Sequence, residues 1–169
     1  VFGGVQVGRL GLQTGVLKRW CGLPGEYNAS VAVSRSAAGY ALALRIMLPR
    51  VLSVREVLLP DAMVEAGLSR HGLIIFSGRI GSGKTTALYS LLDHINAHAP
   101  CRICTVTDSD YMWLTAKKAL VQQFEVGRDV PGTLSGIRAA VSQDADVLFV
   151  GELAGVEELQ ACITAAELG

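Results

Sequence analysis

Residues 78–85 read Gly78-Arg79-Ile80-Gly81-Ser82-Gly83-Lys84-Thr85, which fills every position of a G-x-x-x-x-G-K-[ST] pattern. Residue types at this spacing hold phosphates. Glycine admits φ > 0 and lets backbone N–H groups come close to an anion. A helix that starts at the loop adds the positive end of its dipole. On this reading Gly78, Gly81, Ser82, Gly83, Lys84, Thr85 and Thr86 bind a nucleoside triphosphate. Lys84 reaches the β/γ phosphates and the Thr85 hydroxyl is placed to bind Mg2+.

A second chemical element is Asp144-Ala145-Asp146-Val147-Leu148-Phe149-Val150-Gly151-Glu152. An apolar strand that ends in a carboxylate can hold Mg2+, directly or through water, or orient an attacking water. Glu152 falls just past the strand end, where open α/β sheets bind ligands. A third element is Thr105-Val106-Thr107-Asp108-Ser109-Asp110. Its carboxylates could contact Mg2+, position water or relay protons; the alternative is a polar turn capped by Asp. The candidate catalytic set is Glu152, Asp108 and Lys84, with Thr85 and Glu152 as the metal pair.

Two weaker patterns carry less. Cys101-x-x-Cys104 has no second pair to complete a zinc site, so reduced strand thiols are expected. His94 and His98 share a helix face, but Ile95 stands where a zinc protease needs Glu. They suit a helix C-terminus instead.

These residues need elements to position them. Gly72 to Ser77 is an apolar run that reads as a buried strand, and Thr86 to Asn96 has helical spacing. Strand, loop and helix is the context a phosphate loop requires. Further on, the pattern predicts a strand over Ile103–Thr107, a helix over Leu134–Ser142 starting near Thr133, a strand over Val147–Val150 and a helix over Val156–Leu168. Alternating elements with all-apolar strands predict a mostly parallel sheet covered on both faces. Before these, residues 1–26 hold seven glycines and read as irregular chain. Asn28–Arg35 and Tyr40–Leu48 read as a hairpin, and Asp61–Leu68 as a short helix. The domain expectation is a partial N-terminal domain over 1–49, a linker over 50–71 and a core over 72–169.

Composition narrows the class. The chain has 169 residues, half of them hydrophobic, enough for a folded domain with a core. Net charge is zero, although residues 1–60 carry seven Lys/Arg against two Asp/Glu. Basic residues are not interleaved with aromatics, so nucleic acid is not an expected partner. No transmembrane segment is expected: Tyr40–Leu48 is short and broken by Arg45. The absence of a basic-then-apolar leader points to a cytoplasmic protein. The start at Val1 and the helix-like Leu159–Leu168 suggest a fragment of something longer.

Taken in order, the segments resemble the secretion and type IV pilus motor ATPases, closest to the twitching-motility retraction ATPases. The resemblance rests on Gly78–Thr86 (Walker A), Thr105–Asp110 (the "aspartate box"), Leu120–Asp129 with its Q-x-E-V-G-R-D run, Ile137–Ala140, Asp146–Glu152 (a Walker B ending Gly-Glu) and Leu159–Gly169. Ser30–Pro49 looks like the last strands of that family's N-terminal domain. The resemblance implies an α/β fold: a RecA-like P-loop NTPase core with a mostly parallel sheet, preceded by the end of a small α+β domain. It implies ATP and Mg2+ as cofactors and a homo-oligomer, a hexamer. It also implies an inner-membrane pilus or secretion platform protein as partner, and a place on the inner face of the cell membrane. The activity implied is ATP hydrolysis that drives pilus retraction, pilus assembly or type II secretion.

Departures from the family pattern are specific. Thr107 stands at the first Glu of the aspartate box, Ser109 at its Pro, and Leu153-Ala154-Gly155 at the family's Met-Arg-Asp. The histidine box is expected just after Gly169. Threonine cannot act as a carboxylate base. The alternative reading is therefore a catalytically weak, nucleotide-binding paralogue with a structural or regulatory role in the same kind of hexamer. An unrelated kinase or GTPase lacks support, because no N-K-x-D guanine motif is present.

Overall fold

Three antiparallel strands are described in the first unit, Val1–Arg50. They are β1 (Val16–Gly22), β2 (Asn28–Ser36) and β3 (Gly39–Met47), in that order across the sheet. A computed structural model describes residues 16–22, 28–37, 39–47, 50–108 and 112–168. The expected hairpin is present, with register Asn28↔Met47 to Ser36↔Gly39. Residues 16–22, read as irregular, instead form a strand. Its pairing with β2, from Val16↔Ser34 to Gly22↔Asn28, supplies backbone partners that local composition does not reveal. Strand alternation puts Tyr40, Leu42, Leu44 and Ile46 on one face of β3, and all four are exposed.

The second unit, Val51–Gly169, is built on a parallel sheet ordered β5-β4-β6. The strands are β4 (Arg102–Thr107), β5 (Leu120–Glu125) and β6 (Val147–Val150). Among the described residues four helices accompany them: α1 (Asp61–Gly67), α2 (Lys84–His98), α3 (Thr133–Val141) and α4 (Val156–Leu168). Tyr89, Leu91, Leu92 and Ile95 of α2 form a core cluster with Ile103 and Phe149. The Tyr89 and Phe149 rings meet edge to face at 5.3 Å. On the opposite face of β4, Val106 packs against Gly136 of α3. Helices thus cover both faces of the parallel sheet, as an all-apolar strand pattern demands. Residues 51–71 group with this unit: Val51 and Leu59 pack on its core, and Gly67 lies against Leu91.

One predicted element is absent. Residues 72–77 form no strand; Leu73 and Ile75 are exposed, and only Phe76 packs against the core. A strand is defined by a neighbour that accepts its backbone hydrogen bonds. Among the described residues no strand pairs with this segment, although its apolar pattern is strand-like.

Candidate nucleotide site

The phosphate loop ends in the first turn of α2. Gly83 is the N-cap of that helix with φ 89° and Gly81 has φ 80°, both in the left-handed region. Side chains with a Cβ adopt this region at a cost of about 1 kcal/mol or more, so the spacing of the glycines is conformational. Ala87 N–H donates to the Gly83 carbonyl at 2.9 Å, closing the first helical turn. No side chain caps α2, which leaves its first N–H groups and its dipole facing the loop. Lys84 Nζ donates to the carbonyls of Gly78 (2.8 Å) and Arg79 (3.0 Å). The ammonium is thereby held across the loop that the glycines shape. Positive-φ glycines, uncapped amides and a tethered ammonium fit a phosphate chain.

A second cluster forms where β4 and β6 end. Val106 and Val150 are register partners, and Gly151 N–H donates to the Val106 carbonyl at 2.9 Å. Asp108 and Glu152 each follow that pair by two residues, so both emerge at the same C-terminal edge. They line one cleft of about 160 Å3 with Val106, Thr133 and Ala154. The structure thus brings Asp108 and Glu152 together. Residues 78–86, Lys84 and Thr85 included, are not part of that cleft's lining. Asp110 lies outside the described residues.

Neighbouring turns are held by their own side chains. Glu158 Oε2 accepts the N–H groups of Ala154 (2.6 Å) and Gly155 (3.1 Å), fixing the turn between Glu152 and α4. At the end of β5, Asp129 accepts the Glu125 N–H at 2.9 Å and pairs with Arg128. Hydrogen bonding from Arg128, and then from the Glu125 amide, holds the Asp129 carboxyl below its usual range. Sequence reasoning missed Thr133 in the cleft. Its position at the start of a helix that follows the Q-x-E-V-G-R-D run was the available signal.

Metal donors are sparse. Among the described residues no group of three or more His, Cys, Asp or Glu side chains could hold an ion. The Thr85 hydroxyl and the Glu152 carboxylate are each hard oxygen donors of the kind Mg2+ takes, and of the two only Glu152 lines the cleft. Cys101, Cys104 and Cys162 are free, and burial pushes all three thiols up. The His94 and His98 rings stack at 4.0 Å, and His98 Nδ1–H donates to the His94 carbonyl at 2.7 Å.

A phosphate loop at a helix N-terminus, beside a parallel sheet whose edge carries two carboxylates, defines a P-loop α/β protein. A model of the family described as "Type II/IV secretion system protein" matches residues 28–169, and the chain belongs to that family. The type IV pilus retraction ATPase PilT of Pseudomonas aeruginosa is 31% identical over 147 residues, covering 87% of this chain and 43% of PilT. An uncharacterized protein of Escherichia coli K12, YggR, is 35% identical over 131 residues, covering 78% of this chain and 40% of YggR. The solved structure of the pilus retraction motor PilT with bound ADP superposes with a TM-score of 0.86 at 33% identity. That superposition covers 92% of this chain and 46% of the PilT chain. The Legionella pneumophila ATPase DotB shares the fold at TM-score 0.81 and 22% identity. The expected RecA-like α/β core is therefore the fold of the second unit. The chain spans less than half the length of these relatives. No helix among the described residues is long and apolar enough to cross a membrane.

Proposed function

We propose that this chain is the nucleotide-binding part of a motor subunit that hydrolyses ATP with Mg2+. The work would be type IV pilus retraction or assembly, or type II secretion. The carrying observation is the phosphate loop at the start of α2, with Lys84 held over it. The loop amides and Lys84 bind the phosphates; Thr85 and Glu152 supply oxygen donors for Mg2+. Glu152 and Asp108 orient water at the C-terminal edge of the sheet. Bound Mg2+ neutralises charge on the phosphate oxygens. Support for ATP comes from relatives named as ATPases and from the ADP in the PilT structure.

The rest of the reading follows the family. The subunit joins a homo-oligomer, a hexamer, that meets a membrane platform protein on the cytoplasmic face. Residues 1–49 belong to a preceding domain, 50–71 connect, and 72–169 carry the ATPase core. Mg-ATP affinity measured by titration calorimetry tests the site. Lys84→Ala is expected to abolish binding, and an unchanged affinity would sink the proposal.

A second reading is favoured by Thr107, which is buried at the end of β4 and carries no carboxylate. In this reading the chain binds nucleotide, turns it over weakly and serves the hexamer structurally or as a regulator. Fast ATP turnover by the unmodified protein would eliminate it.

A further inference from the structure

Helix α2 carries a second pair of chemical groups at the end away from its phosphate loop. His94 and His98 lie one turn apart on the same face. Their rings stack at 4.0 Å with 25° between the planes. Ile95 excludes the zinc-protease pattern, but two imidazoles one helical turn apart are still a chelate. Three features prepare them for a metal. His98 Nδ1–H donates to the His94 carbonyl at 2.7 Å. That bond fixes the tautomer and leaves the lone pair of His98 Nε2 for a ligand, as in metal-bound histidines generally. Burial, with the neighbouring His98 adding to it, holds the His94 pKa below the ordinary 6.5, so this ring is a neutral donor at neutral pH. His98 also ends the helix, where the dipole favours a cation.

Distance and ligand type select the ion. Bonds of about 2.0–2.1 Å from zinc to nitrogen join donors up to about 4 Å apart. The ring centroids already stand at that separation. Histidine χ2 is a broad torsion, so small ring rotations bring the lone pairs from stacked to convergent. Imidazole suits Zn2+, Cu2+ and Ni2+, whereas Mg2+ takes oxygen. Asp93, next along the helix, is engaged by Lys117 at 2.7 Å. With two protein ligands, water completes the shell and the ion exchanges freely.

We propose that His94 and His98 form a binding site for a divalent transition-metal ion, held by His98 Nε2 and an imidazole nitrogen of His94. The site is separate from the nucleotide chemistry and does not depend on the ATPase reading.

The test titrates the full chain, without nucleotide, with ZnCl2 at pH 7.5 and follows the imidazole nitrogens by 15N NMR. The chain has three histidines, so His71 is the internal control. Zn2+ should shift His98 Nε2 and one nitrogen of His94 along a single saturation curve, with His71 unmoved. Mg2+ at the same concentrations should shift none of them. His94→Gln and His98→Gln should each weaken Zn2+ at least tenfold, since even outer-shell partners are worth about 10- to 100-fold. His94 is half-buried and His98 exposed, so both variants should fold, which their thermal midpoints without metal check. Zn2+ should raise the midpoint of the unmodified chain and not that of either variant. Equal shifts at His71, a shift at only one of the two rings, or affinity that survives either substitution would each overturn the proposal. Zn2+ taken up by the thiols instead would leave the imidazole signals unmoved and would overturn it too.

Discussion

Gly151 and Thr107 meet across neighbouring strands: a Cβ built on Gly151 would stand 3.0 Å from Thr107 Cγ2. The glycine of the Gly-Glu strand end leaves room for the threonine of the aspartate box. Thr107 is 3% exposed, so the position that resembles a water-activating glutamate is filled here by a buried hydroxyl. Thr107→Glu puts a longer, charged side chain into that space. Turnover is expected to rise roughly a hundredfold if a base was missing. Stability should fall by about 1–3 kcal/mol from burying part of a carboxylate. Steady-state ATPase assays and urea unfolding measure the two effects. Unchanged turnover would show that position 107 does not limit hydrolysis.

Gly136 touches Val106 through the α3–β4 interface. A Cβ there would fall 2.5 Å from Val106 Cγ1 and 3.1 Å from Cγ2. Alanine within a helix gains about 1 kcal/mol over glycine from propensity. Overpacking in a closed interface costs about 1–3 kcal/mol. With the stiff, β-branched side chains of Val106 and Val130 both against it, the clash is expected to win. Gly136→Ala should lower the urea midpoint, and Val106→Ala in the same chain should recover part of the loss.

Asn96 is fully buried near the end of α2 and makes two side-chain bonds to the segment that leads into β5. Its Nδ2 donates to the Thr115 carbonyl at 2.8 Å, and its Oδ1 accepts the Lys117 N–H at 2.9 Å. Asn96→Ala strands both backbone groups and should cost about 2–4 kcal/mol by chemical unfolding. Asn96→Asp keeps the acceptor and should cost less than the alanine.

His94 gives the stability a pH dependence. Burial, with the neighbouring His98 adding to it, holds its pKa below the ordinary 6.5, while Asp93 opposes the shift. The folded chain therefore binds this proton less readily than the unfolded chain. The stabilisation is complete above about pH 6.5 and is lost as pH falls below that value through the lowered folded pKa. Thermal midpoints measured from pH 7.5 down to pH 5 should fall, and the fall should flatten in His94→Gln.

Legibility in the sequence followed how far each element depends on partners. Val147–Val150 is apolar throughout and Val156–Leu168 has helical spacing, so composition alone marks both, and both form as read. Strand β5 reads Leu-Val-Gln-Gln-Phe-Glu and was seen only as a family segment. Its two glutamines hide a strand whose pairing with β4 and grip on Met112 and Leu114 are tertiary facts. Residues 72–77 show the converse, an apolar run with no ladder partner among the described residues. The phosphate loop was legible because its glycine positions are local backbone requirements. The convergence of Asp108 and Glu152 required the β4–β6 register, which no single segment contains.

Helix α2 gives the unit a mechanical property. Its 15 residues span ~21 Å at 1.5 Å per residue. One end carries Lys84 and the phosphate loop. Near the other, Asn96 and the Asp93–Lys117 ion pair (2.7 Å) grasp the chain between Met112 and Ala119. That segment leads on into β5, so the helix is a strut pinned at the end remote from its phosphate loop.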